Sequence, residues 1–376
     1  MRVLACVLAA AVLLVPGAAA TPAGLKLLVR DDDRLALVYA DRATPFRQPR
    51  PASPYRNLAF SGDGRLASIG GDVVGRVKLP TGTLTWAPTG ERAAYVTSEG
   101  AVVVWTPAGK RRIEPRGWAA RPFLPSLAWS REGTLAVGRG HEIWVWRNGA
   151  AHRLVGPVEG LPVLAGWTGD GRVLWWQWPD SGSIAADGVA LYAGSERLGT
   201  TLMYRDYLAV CGRHLAFAAG GDRSSDHGKS IVFDGRDVSH DGSRSWVSPS
   251  CTAAGPTVVA AAGRDLGVCC HIHTEHRAIW ELLPARRQLT HPPDGWTDES
   301  PRVFANGDVL FVRTRLTSVK KGDTYHDTER GRVMLLSHGS LRQLAEIGYR
   351  DVDELKLYLG PYYDHYDFSQ LLAVWP

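Results

Sequence analysis

The stretch Trp129-Ser-Arg-Glu-Gly133, followed by the apolar run Thr134-Leu-Ala-Val137, is one copy of a unit that recurs along this chain. In each copy an aromatic or apolar residue precedes a few small or polar residues and a glycine, and a short apolar run follows. The other clear copies are Phe60-Ser-Gly-Asp-Gly64, Trp86-Ala-Pro-Thr-Gly90 and Trp167-Thr-Gly-Asp-Gly171; weaker ones are Cys251-Thr-Ala-Ala-Gly255, Val303-Phe-Ala-Asn-Gly307 and a degenerate copy ending at Gly212. Recurrence of this kind is the signature of a repeat architecture.

The spacing of the copies indicates which repeat architecture this is. From Gly90 to Gly307 the glycines recur every 38 to 52 residues, close to the roughly 40–50 residues of a four-stranded propeller blade. Each unit contains four short runs rich in β-forming residues and bounded by turn formers. In one unit they are Ser126–Trp129, Thr134–Val137, Glu142–Trp146 and Ala151–Val155. Because no stretch after the N-terminal segment shows sustained helical periodicity, the pattern excludes a helical solenoid.

The sequence therefore predicts an all-β protein, a β-propeller of four-stranded antiparallel blades. Six units run from about Thr83 to Ile347, and the remaining chain contains enough strand-like runs for at least one more. These runs are Leu25–Val29, Leu35–Tyr39, Leu58–Phe60, Arg65–Ile69 and Leu371–Trp375. We favour seven blades, with six or eight as alternatives, and expect N- and C-terminal strands to close the ring in one sheet. Such closure removes the free sheet edges.

A second element of the repeat carries a family resemblance. A turn leading to Arg-x-Leu (Arg287-Gln-Leu289 and Arg342-Gln-Leu344) or to its shorter form Arg-Leu (His152-Arg-Leu154 and Glu196-Arg-Leu198) recurs along the chain. Together with the aromatic–glycine turn, it resembles the TolB-like (WD-like) β-propeller repeat over about residues 57–346. The resemblance implies a fold and no particular activity.

The N-terminus has the pattern of a secretory signal peptide. Met1-Arg2 precedes an apolar run from Val3 to Val15, and Ala18-Ala-Ala20 provides a small-residue cleavage site. We expect residues 1–20 to be removed and residues 21–376 to form a single propeller domain that is secreted or retained in the periplasm or cell envelope. The apolar run is too short for a membrane span, and no other segment has 18 uninterrupted apolar residues, so we expect no membrane-spanning segment.

Composition argues against several classes of function. The formal net charge of +5 is spread along the chain, whereas a nucleic-acid site requires a sustained basic stripe. The chain has no Gly-x-Ser-x-Gly elbow of a hydrolase, no phosphate-cradling glycine-rich loop and no Cys-x-x-Cys pair. We predict no cofactor and no nucleic-acid partner.

Loop lengths predict the working surface. The turns between the first and second strands, and between the third and fourth, are tight throughout and share one face, here called the tight-turn face. The longer polar insertions share the other face, here called the long-loop face, and they are Gln177–Gly188, Gly220–Lys229, Arg313–Gly331, His240–Trp246 and His291–Ser300. Because loops on a rigid scaffold often carry function, we expect ligand-binding residues there. The candidates are Trp178, Asp226, His227, His240, Asp241, Trp246, Trp296, Asp298, Tyr325 and His326.

Histidines near these insertions leave two functions open. His271 and His273 would point to the same side of a strand, but zinc needs three or four converging ligands, and we predict no metal site. The favoured hypothesis is an exported propeller that binds a protein or cell-envelope component on its long-loop face without catalysis. The alternative is a propeller enzyme, a lyase or hydrolase and possibly metal-dependent, with a His/Asp site at the channel mouth.

Signal cleavage would remove Cys6 and leave Cys211, Cys251, Cys269 and Cys270, an even number in a compartment that permits disulfides. Cys211 and Cys251 occupy corresponding positions at the tight-turn ends of neighbouring units. Cys269 and Cys270 begin a third strand at the other end, roughly 15–20 Å away, and a disulfide needs Cα atoms within about 7 Å. The sequence predicts a Cys211–Cys251 disulfide, with Cys269 and Cys270 free or joined to each other. Four unpaired thiols are the alternative.

Overall fold

The computed structural model describes sixteen ranges of the chain. They are residues 25–31, 34–39, 43–46, 58–60, 66–68, 84–88, 92–97, 99–113, 126–179, 188–203, 205–221, 229–239, 241–265, 274–321, 324–349 and 371–375. Nearly all regular structure in these ranges is β-strand, with a 3₁₀ turn at Arg205–Tyr207. None of the described segments is a helix long and apolar enough to cross a membrane.

Thirty strands are described. The N-terminal ones are β1 (Lys26–Asp31), β2 (Arg34–Tyr39), β3 (Ala43–Phe46), β4 (Leu58–Phe60) and β5 (Leu66–Ser68). Six four-stranded units follow: β6 (Leu84–Trp86), β7 (Ala93–Val96), β8 (Val102–Thr106) and β9 (Gly109–Ile113); β10 (Ser126–Trp129), β11 (Leu135–Arg139), β12 (Glu142–Arg147) and β13 (Ala150–Val155); β14 (Leu161–Trp167), β15 (Val173–Trp178), β16 (Val189–Ala193) and β17 (Glu196–Thr201); β18 (Leu208–Cys211), β19 (His214–Ala219), β20 (Ser230–Phe233) and β21 (Arg236–Asp237); β22 (Arg244–Cys251), β23 (Val258–Asp265), β24 (Thr274–Leu283) and β25 (Arg287–Gln288); β26 (Thr297–Val303), β27 (Val309–Lys321), β28 (Thr324–Ser337) and β29 (Ser340–Tyr349). The last strand is β30 (Leu371–Trp375).

The six units are the blades of a β-propeller, as the repeat predicts. Within each unit, consecutive strands pair antiparallel. The first strands of successive units pack against one another, as β18 does on β22 and β22 on β26. The second strand is the most apolar: all four residues of β7 and all five of β11 are buried. The fourth strand faces solvent, and four of the five residues of β9 are exposed. The first strand of each unit is therefore innermost and the fourth outermost.

The repeated tryptophan holds neighbouring blades together. Trp129 donates its indole N–H to the Thr85 carbonyl of the preceding blade at 3.3 Å, and Trp167 donates to the Ala128 carbonyl at 3.0 Å. Thr85 and Ala128 each precede the tryptophan of their own blade, so the same contact is repeated from blade to blade. A large ring fills the space between two sheets, and its polar atom still finds a partner.

The polar residues and the glycine of the motif close the turn after the innermost strand. Thr134 donates its N–H to the Ser130 hydroxyl at 3.0 Å, and Arg172 donates to the Thr168 hydroxyl at 2.9 Å. In the same two turns Gly133 and Gly171 have φ of 80° and 85°, a conformation that glycine adopts without steric cost. The repeated sequence is thus explained by one turn geometry.

The terminal strands share a sheet, which confirms that part of the closure prediction. β30 pairs antiparallel with β1, matching Trp375 with Lys26 and Val374 with Leu27. β1 continues to β2 and β3, and touches β29 at a single parallel pair, Asp31 with Gly348. β4 and β5 form a two-stranded sheet of their own. Because the chain on either side of β4 and β5 lies outside the described residues, seven blades stays a prediction.

One predicted insertion is a strand pair rather than a loop. β27 and β28 stay in register from Val309–Leu336 out to Lys321–Thr324, whereas β26 pairs with β27 only as far as Thr314. The hairpin extends past β26 by residues 315–321, about 23 Å at the usual rise per residue. The polar segment Arg313–Gly331 is therefore mostly an arm of two strands on the long-loop face.

A disulfide joins Cys211 and Cys251, the pair that the sequence predicts, with Cα atoms 5.7 Å apart. Cys211 ends β18 and Cys251 ends β22, so the bond connects the innermost strands of two adjacent blades. Cys269 and Cys270 lie outside the described residues.

We expect loss of this disulfide to reduce the free energy of unfolding by about 2–4 kcal/mol, because the bond restricts a loop of the unfolded chain with a sequence separation of 40 residues. Denaturant unfolding of the Cys211→Ser/Cys251→Ser variant checks the loss, and non-reducing peptide mapping of the unaltered protein checks the pairing. A peptide linking Cys251 to Cys269 or Cys270 would contradict the assigned strand order.

Candidate functional site

A cavity of about 550 Å³ opens at the long-loop end of the β22–β25 blade. The start of β22, the end of β23, the start of β24 and the end of β25 all contribute to it, through Ser243, Arg244, Arg264, His276, Trp280 and Gln288. Its back wall consists of small residues: Ala262 faces Ala278 in register, and Gly263 follows. These residues leave a hollow beside the much larger Trp280 ring.

Aromatic and guanidinium groups stack around this hollow. The Trp280 and Trp246 rings meet edge to face, 5.8 Å apart. The Arg244 guanidinium lies 4.8 Å from the Trp280 ring centroid, and that of Arg286 lies 5.0 Å from Trp246. Guanidinium groups at these distances are attracted to the ring faces. The stack therefore holds Trp280 in one orientation at the cavity.

Asp241 neutralises part of the positive charge of Arg244 and Arg286. Its carboxylate accepts hydrogen bonds from Arg244 and, at 2.7 Å, from Arg286. The Ser243 hydroxyl donates to the same carboxylate at 2.6 Å and is the largest cause of a pKa far below the ordinary value for aspartate, followed by smaller contributions from the Ser243 N–H and Arg244. Asp241 therefore stays ionised at physiological pH and keeps both arginines in place.

Arg264 and His276 form the accessible edge of the cavity, and Arg264 carries a positive charge. Both side chains are exposed. Arg264 lies opposite Glu275 in the β23–β24 ladder. Because the Arg264 side chain is exposed at the cavity, a carboxylate from a ligand could reach its guanidinium. The arrangement suits recognition of an acidic group beside an aromatic surface.

The structure distributes the predicted ligand-binding residues over several blades. Asp241 and Trp246 lie directly behind the cavity and support it. Trp178 ends β15 in another blade, with 39% of its surface exposed. Trp296 is half-buried beneath the Arg332 guanidinium, 5.3 Å from its ring. These four residues do not form one site.

Two of the predicted contacts need correction, because the side chains are in the interior. Trp246 and Asp298 are each 0% exposed. Asp298 lies opposite Arg313 in the β26–β27 ladder and accepts two hydrogen bonds from its guanidinium, at 2.7 and 2.8 Å. Both residues stabilise the fold, and neither can contact a ligand at the surface.

The remaining candidates are only partly described. Tyr325 and His326 belong to β28, opposite Lys320 and Val319 of β27. Asp226, His227 and His240 lie outside the described residues, as do His271 and His273. In the described ranges, no three His, Cys, Asp or Glu side chains cluster as a metal site would require.

A second cavity, of about 360 Å³, lies against the innermost strands β18, β22 and β26. Sequence reasoning missed it, although a signal exists: the dipeptide Ser-Pro occurs at the same place in two blades, as Ser248-Pro249 and Ser300-Pro301. At both places the strand register shifts, between Val247 and Ser250 and between Glu299 and Arg302.

Comparisons with known proteins add fold-level similarities. No protein-family model and no curated protein matches the chain. Among solved structures, a puromycin-hydrolyzing peptidase of Mycobacterium tuberculosis is 12% identical over 70% of this chain and 53% of its own, with a TM-score of 0.34. Apo AztD from Citrobacter koseri is 12% identical over 87% of this chain and 95% of its own, with a TM-score of 0.33. A chain of the mitotic checkpoint complex is 16% identical over 83% of this chain and 95% of its own, with a TM-score of 0.35. This chain thus spans about half the length of the peptidase.

Proposed function

We propose that the protein is an exported β-propeller that binds an acidic group of a protein or cell-envelope component at the long-loop end of the β22–β25 blade, without catalysing a reaction. The observation that carries this proposal is the cavity that is lined by both the exposed Arg264 guanidinium and the fixed Trp280 ring. Tryptophan and arginine are the residues most enriched at the energetic centres of protein interfaces.

The charge distribution supports an acidic partner. Asp241 already pairs with Arg244 and Arg286, and the exposed Arg264 adds a further positive charge to the lining of the cavity. Electrostatic complementarity of this kind raises association rates and excludes cationic partners. The β27–β28 arm stands on the same face and enlarges the surface that a macromolecule could contact.

The proposal also covers where the protein is located and which type of β-propeller it is. Residues 1–20 carry the signal-peptide pattern, from which we infer secretion or retention in the periplasm or cell envelope. The Arg-x-Leu and Arg-Leu elements support a propeller of the TolB-like type. The spread charge of +5 supports a protein or envelope partner over nucleic acid.

Charge reversal at the cavity tests the proposed site. We expect Arg264→Glu to weaken retention of the purified protein on its native envelope fraction by about tenfold or more, since a charge-assisted hydrogen bond is replaced by repulsion. Arg131→Glu is the matched control, because Arg131 is also exposed but lies in a tight turn on the other face. Equal retention of the two variants would contradict the assignment of the long-loop face.

A further inference from the structure

The second cavity faces the centre of the ring. It is lined by innermost strands of three successive blades, β18, β22 and β26, and by the residues that adjoin them. Innermost strands of a propeller line its central channel. Cys211 and Cys251 border the cavity, so it lies toward the tight-turn end, away from the cavity beside Trp280.

Two unusual backbone positions shape this cavity. Ser248 has φ of 51° and Ser300 has φ of 48°, values that are uncommon for residues other than glycine. Each serine precedes a proline and lies where the register of the innermost strand shifts. Irregularities of this type re-aim the side chains that follow them, and unfavourable backbone conformations cluster at binding and catalytic sites.

Arg302, which follows the second of these positions, presents a positive charge to the cavity. Its side chain is exposed at the cavity. Partial desolvation by the surrounding strands lowers the pKa of Arg302, and the attraction of the nearby Asp206 carboxylate opposes the shift. Among the described side chains no hydrogen bond to the Arg302 guanidinium is found, so its donors can reach a ligand. By contrast, Arg313 of the same blade is fully engaged with Asp298.

The surrounding hydroxyl groups could complete a site for an anion. Ser250 accepts the Val303 N–H at 3.0 Å, which leaves its hydroxyl proton able to donate into the cavity. Ser300 lines the same space, and within the described residues its hydroxyl has no partner. Ser248 instead donates to Asp206 at 2.9 Å.

We propose that this channel cavity binds a small ligand through a carboxylate group, which pairs with the Arg302 guanidinium and accepts hydrogen bonds from Ser250 and Ser300. The planar guanidinium matches the geometry of a carboxylate. The adjacent Asp206 carboxylate repels a doubly charged phosphate more strongly than a singly charged carboxylate. This site is separate from the proposed function and does not depend on capture of a partner at the long-loop face.

Calorimetric titration of the full chain with acetate at constant ionic strength tests the proposal, with inorganic phosphate titrated in parallel. We expect acetate to bind in this cavity and Arg302→Met to weaken that binding by about tenfold or more, the value of a charge-assisted hydrogen bond. Arg131→Met, which removes an exposed arginine that borders neither cavity, is expected to leave acetate binding unchanged. Thermal melting without ligand checks that both variants are folded.

A second variant keeps the test decisive if Arg302→Met does not fold. Arg302→Lys retains the charge but loses the planar pair of donors, and we expect it to weaken acetate binding severalfold. No binding of acetate to the unaltered protein would overturn the proposal, and so would an equal loss in Arg131→Met and Arg302→Met. Tighter binding of phosphate than of acetate would overturn the assignment to a carboxylate.

Discussion

Deletion of Ser369–Pro376 is expected to lower the melting temperature of the whole protein by about 10 °C or more, at roughly 2–4 °C per kcal/mol for a chain of this size. The deletion removes β30, which pairs with four residues of β1 and joins the two ends of the chain. Without β30, β1 has an unpaired edge, and the strand pairing that joins the two ends of the chain is lost. Calorimetry or circular dichroism at increasing temperature measures the effect.

Removal of Pro376 alone is the control for this deletion, because it leaves all the residues of β30 in place. It should leave the melting temperature unchanged. An unchanged melting temperature after the full deletion would contradict closure of the ring by the terminal strands.

Replacement of Asp298 by alanine is expected to lower the free energy of unfolding by about 3–5 kcal/mol, the usual cost of leaving one member of a buried ion pair without its partner. Asp298 is 0% exposed and the Arg313 side chain 11% exposed, so water cannot replace the lost carboxylate. Urea denaturation with an unchanged slope isolates the change in stability.

Two further variants test whether the loss of stability comes from the buried ion pair. Asp298→Leu combined with Arg313→Met removes both charges and should recover much of the loss, since a well-packed apolar pair often replaces a buried ion pair at little cost. Glu196→Ala breaks a pair with Arg172 in which the side chains are 64% and 44% exposed, and should cost about 1 kcal/mol or less. Equal losses at the two sites would refute a structural role for Asp298.

The parts of the fold that the sequence predicts are those in which one physical cause repeats in every unit. The tryptophan fills the space between blades, and Ser130 or Thr168 with the following glycine closes the turn after the innermost strand. Because the tryptophan, the hydroxyl residue and the glycine lie within about ten residues of one another and recur in successive units, the pattern identifies four-stranded units directly. The closing strand Leu371–Trp375 was predictable because it is a short apolar run with no other sheet to join.

The candidate site was less predictable because its residues are distant in the chain and meet only through strand pairing. Asp241, Trp246 and Trp280 become neighbours when β22 and β24 flank β23 in one sheet. Asp298 and Trp246 resemble exposed loop residues in sequence, yet register places one opposite Arg313 and the other in the core. The cavity around Arg302 depends on backbone irregularities at Ser248 and Ser300, which a pattern of residue types does not reveal.

Site-specific photo-crosslinking in the native envelope tests the central claim most directly, that the protein works through the long-loop face. A photoreactive residue in place of His276, which is exposed and lines the cavity beside Trp280, samples the long-loop face without removing Arg264, and one in place of Arg131 samples the tight-turn face. We expect a discrete crosslinked product from position 276 and none from position 131. A discrete product from position 131 alone would contradict the assignment of the long-loop face.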